Sequence, residues 1–189
     1  MNIYNISELP YKRLLGQYGP IHPSVIFGNN VRIGEGVVIE KGCMIGDNTL
    51  IGHHVILRPD TIIGNDCIVG HLSVCEGKTT LGNRVTVHDQ SHLTMGITIE
   101  DDVFIAPCFC GANTPRITHG RNFPLVLESY RIKRAARLGI GVLLLPGVVI
   151  GENSLIGAGS IVTCDVPDKE IWFGCPAVKQ GNVPHEEWL

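Results

Sequence analysis

Residues 33–45 read Ile-Gly-Glu-Gly-Val-Val-Ile-Glu-Lys-Gly-Cys-Met-Ile, with an aliphatic residue at 33, 39 and 45 and a small or β-branched one two places before the last two. The same spacing holds without a miss at fifteen positions: Ile21, Phe27, Ile33, Ile39, Ile45, Ile51, Leu57, Ile63, Val69, Cys75, Leu81, Val87, Leu93, Ile99 and Ile105. A helix repeats near 3.6 residues and a strand at 2, so neither makes a six-residue period. A fixed short repeat marks a solenoid, and six is the period of hexapeptide β-helices. Within a hexad the aliphatic residue and the one two places earlier lie on the same side of a strand, so both point inward. Three hexads, eighteen residues, close one triangular coil, which stacks Ile21, Ile39, Leu57, Cys75 and Leu93 along one inner edge. Gly follows the aliphatic residue at 28, 34, 46, 52, 64, 70 and 82. There it is expected to turn the corner with backbone angles that other residues adopt at a cost.

The chain has 189 residues and 44% hydrophobic content, which suits one domain with an elongated core. Its 23 Gly and 11 Pro sit in register with the repeat, so they read as turn chemistry and not as disorder. A net charge of -3 gives no reason to expect nucleic acid. No apolar run approaches the roughly 20 residues of a membrane span, and residues 1–15 do not form a signal peptide, so a cytoplasmic location is expected. The seven cysteines show no metal-ligand spacing. Cys43, Cys67 and Cys75 fall on inward positions, whereas Cys108 and Cys110 flank Phe109 and are expected to face outward as free thiols.

After Ile105 the pattern lapses, to resume at Leu138, Leu144, Ile150, Ile156 and Val162 with Val142, Val148, Ser154, Ser160 and Val166 as partners. The step from 105 to 138 is 33 residues, which is not a multiple of six. A segment at about 112–137 must therefore leave the coil. It holds Pro115, Gly120, Pro124 and six basic residues, Arg116, Arg121, Arg131, Lys133, Arg134 and Arg137. A long loop in so regular a chain is usually functional. The expected organisation is a cap segment over 1–20, with a helical turn near 8–15 covering the open edge. A β-helix over 21–167 follows, then a C-terminal strand and polar tail over 168–189.

Residues 145–163 read Leu-Pro-Gly-Val-Val-Ile-Gly-Glu-Asn-Ser-Leu-Ile-Gly-Ala-Gly-Ser-Ile-Val-Thr, followed by Asp165-Val166-Pro167 and Gly174-Cys175-Pro176-Ala177. This run closely resembles the C-terminal end of bacterial hexapeptide-repeat acyltransferases, and the resemblance spans 21–177. It implies an all-β, left-handed parallel β-helix; ordinary parallel crossovers are right-handed, so the hand comes from the resemblance alone. It also implies a homotrimer with acyl-CoA in the groove between neighbouring prisms, where outward apolar residues such as Val142, Leu143, Phe109 and Cys110 would be covered.

Within the superfamily the chain is most similar to nucleotide-sugar N-acetyltransferases of the 3-amino-sugar type, which serve surface-glycan and lipopolysaccharide synthesis. The matching residues are Glu100-Asp101-Asp102-Val103-Phe104, then Pro107, Asn113, Pro115 and Arg116, with a return through Tyr130-Arg131 into Leu138-Gly139. The resemblance implies acetyl-CoA as co-substrate, no metal, and a nucleotide-linked amino sugar as acceptor. It departs from sister groups in two places. Thr114 stands where galactoside-type O-acetyltransferases have a catalytic His, and Gly77 where 4-amino-sugar acetyltransferases have theirs.

The chemistry needs a neutral amine to attack a thioester, and a neutral imidazole oriented by a carboxylate suits the proton transfer. His88, next to Asp89 at a polar corner just before the loop-bearing coil, is the expected catalytic pair. His92 and His119 are its rivals and, with Asn113 and Arg116, the expected substrate contacts. The departing CoA thiolate could also take the proton unaided. Small residues admit a cofactor, which makes Gly139, Gly141 and Ala158 the expected acyl-CoA contacts, with Arg134 and Lys179 on its phosphates. Three other functions compete. An O-acetyltransferase would need a loop His, and only His119 qualifies. A γ-class carbonic anhydrase would use the eighteen-residue ladder His53, His71 and Asp89, but Glu76 stands where a ligand His belongs. The last is a β-helix scaffold without activity.

Overall fold

Each hexad delivers one two-residue strand, its second residue turned into the core and its first turned outward. The structure, a computed structural model, describes Tyr4–Asn5 and residues 21–189. Apart from Tyr4–Asn5, the expected N-terminal cap and its helical turn lie outside the described residues.

Strands one coil apart pair in parallel and in register; Thr80, for example, lies between Ile62 and Thr98. They build three faces. The first runs in seven strands from Ile26–Phe27 to Val149–Ile150, and the third in seven from Val38–Ile39 to Ile161–Val162. The second begins at Arg32–Ile33, with Tyr4–Asn5 antiparallel along its lower edge. At its upper edge Glu170–Gly174 adds in parallel and Ala177–Asn182 folds back on it. The result is an all-β left-handed parallel β-helix of about eight coils. Inside, Ile33, Ile51, Val69, Val87, Ile105, Leu138 and Ile156 stack as one of its buried columns, each contributing roughly 1.5–3 kcal/mol by leaving water.

The corner glycines do a different job from the one expected. Those at 28, 34, 46, 52, 64, 70 and 82 do not have positive φ; the left-handed residue comes two places later, at Asn30, Gly36, Asn48, His54, Asp66, Leu72 and Arg84. The earlier glycines allow close approach instead. A Cβ on Gly34 would stand 2.6 Å from the His53 backbone nitrogen, and one on Gly52 2.7 Å from that of His71. Coils about 4.8 Å apart leave no room there for a side chain.

At the corner of Gly28, Gly46, Gly64 and Gly82 the residue after such a glycine, or after Glu100 in its place, caps the coil below. Asp47 accepts the Asn29 N–H at 2.6 Å, Asn65 that of Asp47 at 2.8 Å, Asn83 that of Asn65 at 2.9 Å, and Asp101 that of Asn83 at 2.9 Å. These backbone donors would otherwise lack a partner in the coil.

The coil resumes after the loop earlier than the sequence suggests. Arg131–Ile132 is already a strand, with Ile132 paired to Ile99, so residues 131–137 belong to the solenoid and not to the loop. The hexad is masked because Tyr130 fills the position that is small in most hexads, while Gly111 sits where an aliphatic residue belongs. Tyr130 packs its ring over the Gly111 Cα and edge-on against Phe109 at 5.9 Å between centroids. Phe109 and Val142, expected outside, are fully buried; only their neighbours Cys110 and Leu143 face outward.

Candidate functional site

The third face and its two flanking corners gather most of the expected site residues. Along the corner between the second and third faces, His88, Ala106, Gly139 and Gly157 occupy equivalent positions in successive coils. Gly139 lets the Ala158 backbone approach, with its nitrogen 2.6 Å from where a Cβ would be. Gly141 and Gly159, both left-handed, line the same corner and open to free space. On the face itself the outward column is Val38, Ile56, Val74, His92, Cys110, Leu143 and Ile161.

The loop leaves from the opposite corner. Asn113, nearly buried, donates through Nδ2 to the Met95 carbonyl at 3.2 Å, and Ser129 Oγ donates to the same oxygen at 3.2 Å. Both roots of the loop are thus clasped to Met95, three residues beyond His92. Asn113 is a structural clasp here, and its side chain also meets Thr114 Oγ1 at 3.2 Å.

The six basic residues divide sharply. Arg131 is held by Glu100 at 3.0 Å, Lys133 by Asp168 at 3.0 Å, Arg134 by Glu152 at 3.1 Å and Arg137 by Glu187 at 2.7 Å. In the loop, Arg116 lies 3.9 Å over the Phe123 ring, and Arg121 donates to the His119 carbonyl at 2.7 Å. Neither loop arginine has a carboxylate partner among the described residues. Of the expected phosphate contacts, Arg134 is on the first–second corner and Lys179 is held by Glu170 at 2.6 Å in the C-terminal hairpin. The structure does not bring these two to Gly139 and Gly141.

The histidines have distinct surroundings. His53 Nδ1 accepts the Glu35 N–H at 2.9 Å, His71 Nδ1 the His53 N–H at 2.8 Å, and Asp89 Oδ1 the His71 N–H at 2.7 Å. The ladder that suggested zinc is therefore a capping column, with the two rings stacked at 4.9 Å. Among the described residues no group of three His, Cys, Asp or Glu is placed to hold a metal ion. Asp89 serves the coil below, and the His88 ring stands edge-on to Phe104 at 5.3 Å. The orienting contact expected between Asp89 and His88 is replaced by that backbone cap. His119 is exposed in the loop.

His92 differs from these. Its Nε2 stands 3.2 Å from Glu76 Oε1, both side chains being partly exposed. Next to it, burial and, to a smaller extent, the Glu76 charge raise the Cys110 thiol above its ordinary pKa, which disfavours a thiolate nucleophile. The contact between His92 and Glu76 was hidden in the sequence because the partners are 16 residues apart, one coil less two residues.

The family model of the GMPPB C-terminal domain matches residues 14–110. A galactoside O-acetyltransferase of Lactococcus lactis is 61% identical over 46 residues, 24% of this chain and 22% of that protein. The galactoside O-acetyltransferase of Escherichia coli is 39% identical over 83 residues, 42% of this chain and 41% of the other. The dTDP-3-amino-3,6-dideoxy-alpha-D-galactopyranose 3-N-acetyltransferase of Aneurinibacillus thermoaerophilus is 40% identical over 52 residues, 28% of this chain and 27% of that one. These matches span less than half the length of the curated relatives. Among solved structures, a point mutant of AntD, an N-acyltransferase from Bacillus cereus in complex with dTDP and coenzyme A, aligns over 85% of both chains. Its TM-score is 0.54 at 20% identity. The polysialic-acid-specific acetyltransferase NeuO aligns over 86% of this chain and 87% of its own, with a TM-score of 0.52 at 23% identity. At such identities the likeness is one of fold. Together with the hexad that runs through the matched region, the model match places the chain in the GMPPB C-terminal domain family, within the hexapeptide-repeat acetyltransferase superfamily.

Proposed function

We propose that the chain is an acyl-CoA-dependent N-acyltransferase. It would move an acetyl or other short acyl group to the amino group of a nucleotide-linked sugar used in surface-glycan synthesis. The observation that carries this is the loop, whose Arg116 and Arg121 are without carboxylate partners among the described residues while the four coil cations are neutralised. Two uncompensated guanidinium groups suit a diphosphate, which Arg binds bidentately, and the aromatic ring under Arg116 suits a nucleobase. In the reaction the amine nitrogen attacks the thioester carbonyl, the C–S bond breaks, and CoA leaves as the thiolate. Backbone N–H groups would hold the oxyanion. The corner of Gly139, Gly141 and Ala158, which is open at Gly141 and neighbouring Gly159, would admit the pantetheine arm.

The named 3-N-acetyltransferase relative supports the amine acceptor. The two galactoside O-acetyltransferase relatives favour O-acylation as a second reading, in which a base must act on a sugar hydroxyl. The working form would be a cytoplasmic homotrimer, since Ile140, Leu143 and Leu145 are exposed apolar residues on and beside the third face. The test incubates the protein with acetyl-CoA and a panel of UDP- and dTDP-linked amino sugars, matched with their hydroxy counterparts, and follows free thiol. Release with amino sugars alone supports N-acylation, release with hydroxy sugars moves the assignment to O-acylation, and release with neither rejects both.

A further inference from the structure

We infer that His92, held by Glu76, is the proton-accepting residue of this site; the inference rests on the acyl-transfer reading above. Among the described residues, which include all eight histidines, His92 is the one histidine that stands against a carboxylate, 3.2 Å from Glu76. The others are engaged elsewhere or lack such a group. His53 and His71 use Nδ1 to cap backbone N–H groups, and His22 Nδ1 lies 2.9 Å from Ser24 Oγ. His54 forms a left-handed corner, His88 meets Phe104, His119 is in the exposed loop, and His185 stacks on Trp188 at 4.4 Å.

Position supports the same residue. His92 lies mid-face, between the open glycine corner proposed for acyl-CoA and the loop roots clasped to Met95, from which the proposed sugar-binding loop leaves. Its side chain is 42% exposed and that of Glu76 35%. The ring is accessible, yet its neighbours in the column are the half-buried Val74 and the exposed Cys110. A carboxylate facing Nε2 favours the tautomer with the proton on Nε2, which leaves Nδ1 as the acceptor. The amine proton would pass to Nδ1 as the C–N bond forms, and from there to the departing CoA sulfur, so the imidazole returns to its starting state. Glu76 touches no reacting atom and is a positioning residue.

The experiment measures thiol release with acetyl-CoA and whichever sugar the panel selects, for His92→Ala, His92→Gln, Glu76→Gln, Glu76→Asp, His88→Ala and His119→Ala. Unfolding midpoints and acetyl-CoA thermal shifts serve as folding and binding controls. His92→Ala and His92→Gln should lower kcat by about 10²-fold with KM for acetyl-CoA unchanged, and added imidazole should restore part of the His92→Ala rate. Glu76→Gln should lower kcat less than His92→Ala, and Glu76→Asp should recover part of the loss. A merely structural Glu76 would not give that ordering without a change in the unfolding midpoint. Wild-type turnover with His92 variants within a few-fold of normal overturns the inference alone, as does a collapse confined to His88→Ala or His119→Ala. A wild-type protein that releases thiol with no acceptor rejects the acyl-transfer reading, and the inference with it.

Discussion

Gly111 and Tyr130 should behave as one packing unit, and restoring the hexad at both should undo the damage of restoring it at either. Elsewhere the aliphatic position of the third face is filled by Ile39, Leu57, Cys75, Leu93, Leu144 and Val162, and the position matching Tyr130 by Val25, Cys43, Thr61, Thr79, Ile97 and Val148. In this coil the large and small sites are exchanged. A Cβ on Gly111 would fall on the Cε1 and Cζ atoms of Tyr130, a ring that is 1% exposed and pinned by Phe109. Gly111→Val is therefore an overpacking change and should cost about 1–3 kcal/mol or more. Tyr130→Val empties the space of an aromatic ring beside a residue with no side chain, a loss of about 3–5 kcal/mol. In the double variant the methyl groups introduced at position 111 occupy the vacated space. A coupling of roughly 2–3 kcal/mol is then expected between the two sites, of the size seen for residues in direct contact. For a chain of this length 1 kcal/mol moves Tm by about 2–4 °C. Calorimetry should thus place the double variant roughly 4–12 °C above the midpoint that the sum of the two single losses would give. A double variant whose loss equals the sum of the two single losses would show that the exchange is coincidental. Tyr130→Phe is a second check on the same site. Among the described residues the Tyr130 and Thr94 hydroxyls are both buried without a partner in hydrogen-bond geometry, and burial pushes the phenol pKa far up. Removing one should be neutral or slightly stabilising, because the group contributes desolvation without a compensating bond.

Ile63→Asp places a carboxylate in the stacked core, where Ile63 is 2% exposed, and should cost roughly 3 kcal/mol or more. Asn65→Ala, two residues on, removes the acceptor of the Asp47 N–H and should cost about 1 kcal/mol; equal unfolding midpoints for the two would contradict the register. Hydrogen bonding from the Asn83 N–H holds the Asp101 carboxyl below its ordinary pKa, and the Arg84 guanidinium does the same for Asp102. Stability from such depressed groups is present above the unfolded Asp value, near about 4, and is lost as pH falls below it. Thermal midpoints should therefore drop on acidification from about pH 4, and Arg84→Gln should flatten that drop; an unchanged slope would count against the pairing. Arg116→Ala should raise KM for a nucleotide-linked acceptor by about tenfold, as expected for one lost charged hydrogen bond, and leave unfolding unaffected. Light scattering should give three times the 20.5 kDa chain mass, and a monomer would remove the basis for a site between subunits.

The period of six and its inner period of two are local properties, so the sequence by itself determined the solenoid and the fate of most inward side chains. Ile33, Cys43, Cys67 and Ser73 point inward as the alternation requires. That the chain leaves the coil at about residue 112 was legible too, from the lapse of the pattern after Ile105, and the strand before it ends at Gly111. What the chain could not show was anything that depends on which coil lies next to which once the loop intervenes. Residues 131–137 were read as loop because Tyr130 and Gly111 exchange sizes across a gap whose length only the stacked coil fixes, while Phe109 and Val142, offered as part of an outward contact, keep the inward places that the repeat itself gives them. Corner glycines looked like sites of unusual φ, whereas contact with the backbone of the next coil is what excludes a side chain there. His53, His71 and Asp89 looked like ligands because they align; stacking showed that each bonds to the coil below. The pairing of His92 with Glu76 belongs to the tertiary structure alone. Residues in different coils meet through the inter-strand spacing of about 4.8 Å, and no local pattern encodes which side chains that spacing brings into contact.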